Sequence, residues 1–211
     1  MAPLPKVRKR TSYSDIKPGD LTFALFHDRI LGGQSKALSP HEDLPGFGRA
    51  YKAAIEGDLL AMGNRQVTRE RFAEASYTAI STWADVQGYG GLQAWAAAAA
   101  AEERAHAQKQ IDYLNKRAAV ALEPVPAPQA SFESYADALQ TALALEKIVT
   151  AAITGLARQA RAEGDLATAV FYETFLPEQI DAENELTIYV QKVARGAPID
   201  LLDAELFEDA A

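Results

Sequence analysis

AWAAAAAAEERAHAQKQ, residues 94–110, runs six alanines into Glu102-Glu103-Arg104-Ala105-His106. Alanine is the strongest helix former and loses no side-chain entropy on ordering, so the stretch reads as helix. One of only three histidines in the chain sits here, three residues after a glutamate. A Glu-x-x-His pair on a helix that is otherwise plain scaffold calls for a chemical reason.

Long helical segments extend on both sides of it. The pattern predicts helices at about 58–86, 90–118, 132–162 and 166–194, with a short one at about 199–208. Gly88, Gly90 and Gly91 break the first pair, and glycine commonly closes helices. Glu163-Gly164-Asp165 separates the third and fourth, with Asp165 suited to N-capping. LEPVPAPQAS (122–131) forbids continuous helix through its three prolines, and Ser131 is the expected N-cap of the third helix. Gly196 and Pro198 end the fourth. Two tight turns and one long proline-rich connection predict two antiparallel hairpins joined by a crossover, an all-α four-helix bundle.

Each bundle helix carries a polar residue in its apolar stripe. On the first the stripe is Glu70, Ala73, Tyr77, Ile80, Ala84. On the second it is Leu92, Ala96, Ala99, Glu103, His106, Gln110, Tyr113. The third gives Phe132, Tyr135, Leu139, Ala142, Glu146, Val149, Ile153, Leu156. The fourth gives Thr168, Tyr172, Phe175, Gln179, Ala182, Leu186, Tyr189, Val193.

Glu70 lies 18 residues before Gly88 and Glu103 15 after it, while Glu146 lies 18 before Gly164 and Gln179 15 after it. A three-residue mismatch is about 4–5 Å along a helix, so both hairpins place their polar residues at one level. A lone helical glutamate is ordinarily solvated, and Glu-x-x-His alone is a weak motif. The matched heights reverse that balance.

Three buried carboxylates repel one another and cost several kcal/mol each to desolvate, and bound cations remove the cost. Three Glu, one His and one Gln suit iron, manganese or zinc better than a soft metal. Glu103, central, is placed to bridge two metals about 3.5–4 Å apart. Leu, Ala and Tyr flanking the stripe predict no room for an organic substrate.

These segments resemble the non-haem ferritins over about residues 58–208. NRQVTRERFAEASY (64–77) is similar to the family's first-helix signature, a ligand Glu followed seven residues later by Tyr. EERAHAQKQIDYLNKR (102–117) resembles the second helix. LALEKIVT (143–150), AEGDLAT (162–168) and PEQIDAE (177–183) resemble the third helix, the turn and the fourth; IDLLDAEL (199–206) resembles the terminal helix. The resemblance implies a ferritin-like four-helix bundle with a long crossover between helices 2 and 3 and a short fifth helix. It implies one iron held by Glu70, Glu103 and His106 and another by Glu103, Glu146 and Gln179, with Tyr77 as a hydrogen-bonding and redox-capable neighbour.

The implied activity is ferroxidation. Two Fe(II) are oxidised by dioxygen or peroxide, and the product is stored as mineral in a homo-oligomeric shell, usually of 24 subunits. Haem is not implied, because Arg104 stands where a bacterioferritin places its haem-ligating Met, and Gln179 with Ala182 replaces that group's Glu and His. Glu102, Glu178 and Asp181 match part of a third iron site whose remaining carboxylate is lost at Ala182. Pro177, two residues before Gln179, predicts a kink or bulge in the fourth helix that re-aims Gln179.

Residues 58–211 form the implied diiron domain, and residues 1–57 an extension of uncertain structure with five of the ten prolines. The extension carries nine Lys/Arg against six Asp/Glu, the remainder twelve against twenty-three. The acidic body argues against nucleic acid and suits cations. Lys6-Val7-Arg8-Lys9-Arg10 is expected to be a solvated tip, with an unknown partner for the extension as the other reading. LTFALF (21–26) is open between strand and buried anchor. No apolar run approaches the roughly 20 residues of a membrane span, and no apolar stretch of signal-peptide type comes after the basic start. Cysteine is absent, which suits a cytoplasmic protein. Two other functional classes fit the chain: a structural subunit whose extension docks a partner, and a diiron oxidase acting on another substrate.

Overall fold

A computed structural model describes residues 55–209. The expectations placed on residues 1–54, including 6–10 and 21–26, lie outside the described residues. Six helices succeed one another among the described residues: α1 (Gly57–Gln87), α2 (Gly90–Asn115), α3 (Tyr135–Ala162), α4 (Leu166–Glu173), α5 (Leu176–Ala194) and α6 (Ile199–Asp209). No strand occurs among the described residues.

α1 and α2 form the first antiparallel hairpin, closed by Gly88 at φ 83°, a left-handed turn that glycine adopts without steric cost. α3 pairs with α4 and α5 in the second, and α1 packs on α3 to join the hairpins. The turn between α3 and α4 is capped by Asp165, whose carboxylate accepts from Thr168 N at 3.1 Å. The crossover runs as non-helical chain from 118 to 132. It is tied to the bundle where Asn64 Oδ1 accepts from Ala121 N at 3.2 Å. The second helix stops at Asn115, ahead of the predicted 118. The third starts at Tyr135, with Ser134 rather than Ser131 as its cap.

The predicted fourth helix is two helices. The chain breaks at Thr174–Phe175, and Pro177 falls in the first turn of α5, with Phe175 as N-cap. Proline lacks an N–H and presets its φ, and the first turn of a helix is where neither property conflicts with the hydrogen-bond ladder. The break is the expected kink, but it lies ahead of the proline. Gln179 N still donates to Phe175 O at 3.1 Å, so Gln179 sits on regular helix.

α6 folds back onto α2. Its Asp203 carboxylate accepts from Gly91 N (2.9 Å) and Leu92 N (2.8 Å), capping two orphan donors at the start of α2. A Cβ on Gly91 would lie 1.7 Å from the Asp203 carbonyl oxygen, so only glycine allows this approach.

The interior is two apolar clusters with a polar layer between them. On the α1–α2 turn side lie Ala73, Tyr77, Ile80, Leu139, Leu145, Leu186 and Tyr189. On the other side lie Leu59, Val67, Leu114, Val149, Ile153, Tyr172 and Phe175. α1, α2, α3 and α5 each pass from one cluster to the other, across Glu70, Glu103, Glu146 and Gln179 respectively. α3 is long and apolar enough by length and composition to cross a membrane. Its buried stripe, interrupted by Glu146, packs within the bundle instead.

Candidate metal centre

Glu70, Glu103, Glu146 and Gln179 are all buried, at 0, 4, 3 and 2% exposure. All four predicted positions lie in the interior of the bundle. One carboxylate oxygen each from Glu70 and Glu103 and a ring nitrogen of His106 lie within 4.8 Å of one another. His106 Nε2 is 3.2 Å from Glu178 Oε1, and Nδ1 is 3.4 Å from Glu103 Oε2. The Glu178 contact is the hydrogen bond of the two, and with Nε2–H donated there the neutral ring turns its Nδ1 lone pair toward the Glu70–Glu103 side, where a metal would take it.

Glu146 and Gln179 form a second group. Tyr77 Oη donates a hydrogen bond to Glu146 Oε1. Gln179 Nε2 donates to Glu146 Oε2 at 2.9 Å and to Thr150 Oγ1 at 3.2 Å. Both oxygens of Glu146 are thus engaged by protein donors, whereas the first group is open. Glu70 Oε2 and Glu103 Oε2 are buried and no other residue donates to them, so that in the metal-free protein they have only each other, through a proton on one carboxyl. Leaving buried carboxylate oxygens without an outside donor is costly, and a divalent cation among them removes the cost. The donor set fits a hard or borderline divalent cation, iron among them, on this ground.

The electrostatics agree. Burial, then the Glu103 charge, raises Glu70 to about 8. Burial, then the Glu146 charge, raises Glu103 to about 8. Burial also lifts Glu146, against the hydrogen bonds from Tyr77 and Gln179. Burial and the Glu146 charge push the Tyr77 phenol well above its ordinary value. Carboxyls in this state hold protons that a metal would displace.

The layer opens on a cavity of about 490 Å³ lined by Trp95, Ala98, Ala99, Ala182 and Leu186, with Glu102, Glu178 and Glu185 among its acidic groups. This corrects the expectation that the flanking residues leave no room. Ala98 and Ala99 on α2 and Ala182 on α5 are too short to close the gap between these helices. Trp95 Nε1 donates to Glu185 Oε1 at 3.0 Å, and its ring meets Tyr77 edge-on at 5.6 Å between centroids. Of the partial third site, Glu102 and Glu178 line the cavity while Asp181 is exposed.

Sequence reading assigns no role to two residues, Gln66 and Gln110, of which only Gln110 stands out in a stripe. Gln66 Nε2 and Gln110 Nε2 both donate to Glu70 Oε1, at 2.9 and 2.6 Å, and both side chains are fully buried. The signal was their position. Gln66 stands four residues before Glu70, and Gln110 four after His106, each on the ligand face of its helix.

An all-α bundle with buried carboxylates and a partly buried imidazole in one group defines the class as helical bundles with a candidate metal site in the core. The model of the ferritin-like domain matches residues 61–196, and the chain belongs to the ferritin family. It is 34% identical over 142 residues to a bacterial non-heme ferritin of Staphylococcus epidermidis, covering 67% of this chain and 86% of that one. It is 33% identical, over the same shares, to the Staphylococcus aureus protein of that description. Among solved structures it is similar to an open pore ferritin from the hyperthermophilic archaeon Archaeoglobus fulgidus. There the TM-score is 0.70 at 28% identity, with 74% of this chain and 98% of that one covered. It is also similar to a humanized archaeal ferritin, at TM-score 0.68 and 27% identity, with 73 and 96% covered.

Proposed function

We propose that this chain is a cytoplasmic iron-storage subunit with ferroxidase activity. The observation that carries the reading is the open group of Glu70, Glu103 and His106 inside the bundle, with two buried carboxylate oxygens to which no other residue donates. Fe(II) is the substrate. The first Fe(II) takes Glu70, Glu103 and His106; the second takes Glu103, Glu146 and Gln179 after Gln179 gives up its contact to Glu146. Each Fe(II) loses one electron. Dioxygen accepts two electrons and two protons and leaves as hydrogen peroxide, or peroxide accepts them and leaves as two waters.

The protein's own part is geometric and protic. Glu178 fixes the His106 tautomer. The protons held by Glu70 and Glu103 leave as the metal enters, and Tyr77 keeps Glu146 oriented while offering a redox-capable phenol. The acidic groups around the cavity draw cations toward the layer. Subunits assemble into a homo-oligomeric shell, of 24 by family resemblance. The exposed Val86, Ile148, Val170, Ile180 and Ile188 supply apolar surface for such contacts. A purely structural subunit has no use for three buried carboxylates, since apolar replacements often stabilise a core.

Aerobic Fe(II) oxidation by metal-free protein tests the reading, beside Glu103→Ala. The expected result is a fast phase saturating at about two Fe(II) per chain, absent in the variant, and then loading of many irons. Oxidation that merely tracks the buffer in both proteins overturns it. The cavity supports a second reading, oxidation of a small organic substrate. It is favoured if oxidation halts after the first two irons and turnover requires an added substrate.

A further inference from the structure

We infer that Gln66 and Gln110 are positioning residues that lock the Glu70 carboxylate, so that Glu70 meets its metal through Oε2 alone. The inference rests on the dinuclear reading above and extends it to two residues outside the ligand set. Glu70 Oε1 accepts from Gln66 Nε2 at 2.9 Å and from Gln110 Nε2 at 2.6 Å. A carboxylate oxygen has two lone pairs, and both are occupied. Oε2 is buried on the side of Glu103, and no residue outside the ligand group donates to it. One donor comes from the turn of α1 preceding Glu70 and the other from α2 across the hairpin. Neither a rotation of the carboxylate nor a shift of its rotamer keeps both bonds.

The cost of this arrangement marks it as more than packing. Gln110 is 0% exposed and its amide carbonyl Oε1 is buried without a partner. Leu114 and Val67 show that apolar side chains fill this part of the interior. A methionine at 110 would fill similar volume without the stranded carbonyl. The amide is retained where its N–H₂ reaches Glu70. The clamp leaves Glu70 no oxygen for a bidentate grip and commits it to one metal.

Co(II) tests this, because it takes the same hard donors, resists oxidation in air and reports its coordination in its visible bands. The metal-free full chain, Gln110→Met and Gln66→Met are each titrated with Co(II), and their thermal unfolding is recorded. Wild type is expected to take up two Co(II) per chain. Each variant is expected to unfold within a few degrees of wild type yet bind the first Co(II) about 10- to 100-fold more weakly. Its band shape should change as Glu70 turns or grips with both oxygens, and the second Co(II) should be little affected. If Gln110→Met does not fold, Gln66→Met carries the same test on the same oxygen. First-site affinity and bands identical to wild type in the variants overturn the clamp and leave the dinuclear reading standing. No uptake by wild type overturns both.

Discussion

Tyr77 on α1 donates a hydrogen bond to Glu146 on α3, joining the two hairpins across the polar layer. The phenol is 2% exposed and occupies one oxygen of a carboxylate whose other oxygen Gln179 holds. Tyr77→Phe removes a buried bond to an ionisable group. It is expected to destabilise the metal-free protein by about 1–3 kcal/mol. Metal at Glu146 compensates, so the loss should shrink in Zn(II)-loaded protein while Fe(II) oxidation slows. Urea denaturation of both forms and stopped-flow oxidation check this.

The order of binding comes from the same contacts. Glu70, Glu103 and His106 offer open ligands, whereas Glu146 must first lose Gln179. Calorimetric titration with Zn(II) should resolve one tight ion and one weaker ion per chain. Gln179→Ala should weaken only the second.

Stability of the metal-free protein should fall as pH rises. Glu70 and Glu103 titrate near 8 when folded, against about 4.5 when free. Between these values the folded chain holds more protons than the unfolded one, so unfolding free energy decreases with pH in that window. Their contribution is fully present below about pH 4.5 and lost through about pH 8. Saturating Zn(II) should reverse the trend, because ionised carboxylates bind it better. Melting curves from pH 5.5 to 8.5, with and without Zn(II), check the sign.

Arg117 anchors the end of the first hairpin to the α3–α4 turn. Its Nη1 lies 2.7 Å from both Asp165 Oδ1 and Thr168 Oγ1 and 2.9 Å from Tyr113 Oη, so its two N–H groups are shared among three acceptors. Burial raises the Asp165 carboxyl, but Arg117 and the Thr168 N–H outweigh it and hold it below its ordinary value. Arg117→Met strands a carboxylate that is 2% exposed and should cost about 3 kcal/mol. Arg117→Lys should recover part of the loss, read by urea denaturation.

Gly91→Ala should expel α6 from its seat. The added Cβ meets the Asp203 carbonyl, and the two caps on α2 go with it. A loss of about 2 kcal/mol is expected. Asp203→Ala, which removes the caps without the clash, should cost less.

Most of the bundle was legible because its signals are local. Gly88, Asp165 and the prolines of 122–131 end helices by their own stereochemistry, and Glu70, Glu103, Glu146 and Gln179 stand out against apolar stripes. What escaped depends on distance in sequence. Pro177 marks a helix start as well as it marks a kink, and only packing around Phe175 chooses between them. Gln110 was visible within its stripe, but its role needs Glu70, forty residues away. The cavity escaped because alanine reads as good helix, while the space it leaves depends on how far α5 stands from α2.

The most direct test of the central claim is anomalous diffraction from crystals of the protein soaked anaerobically in Fe(II). The account predicts two iron peaks inside each bundle, one bounded by Glu70, Glu103 and His106 and the other by Glu103, Glu146 and Gln179. Iron found only among the cavity's outer carboxylates, with the polar layer empty, would contradict it.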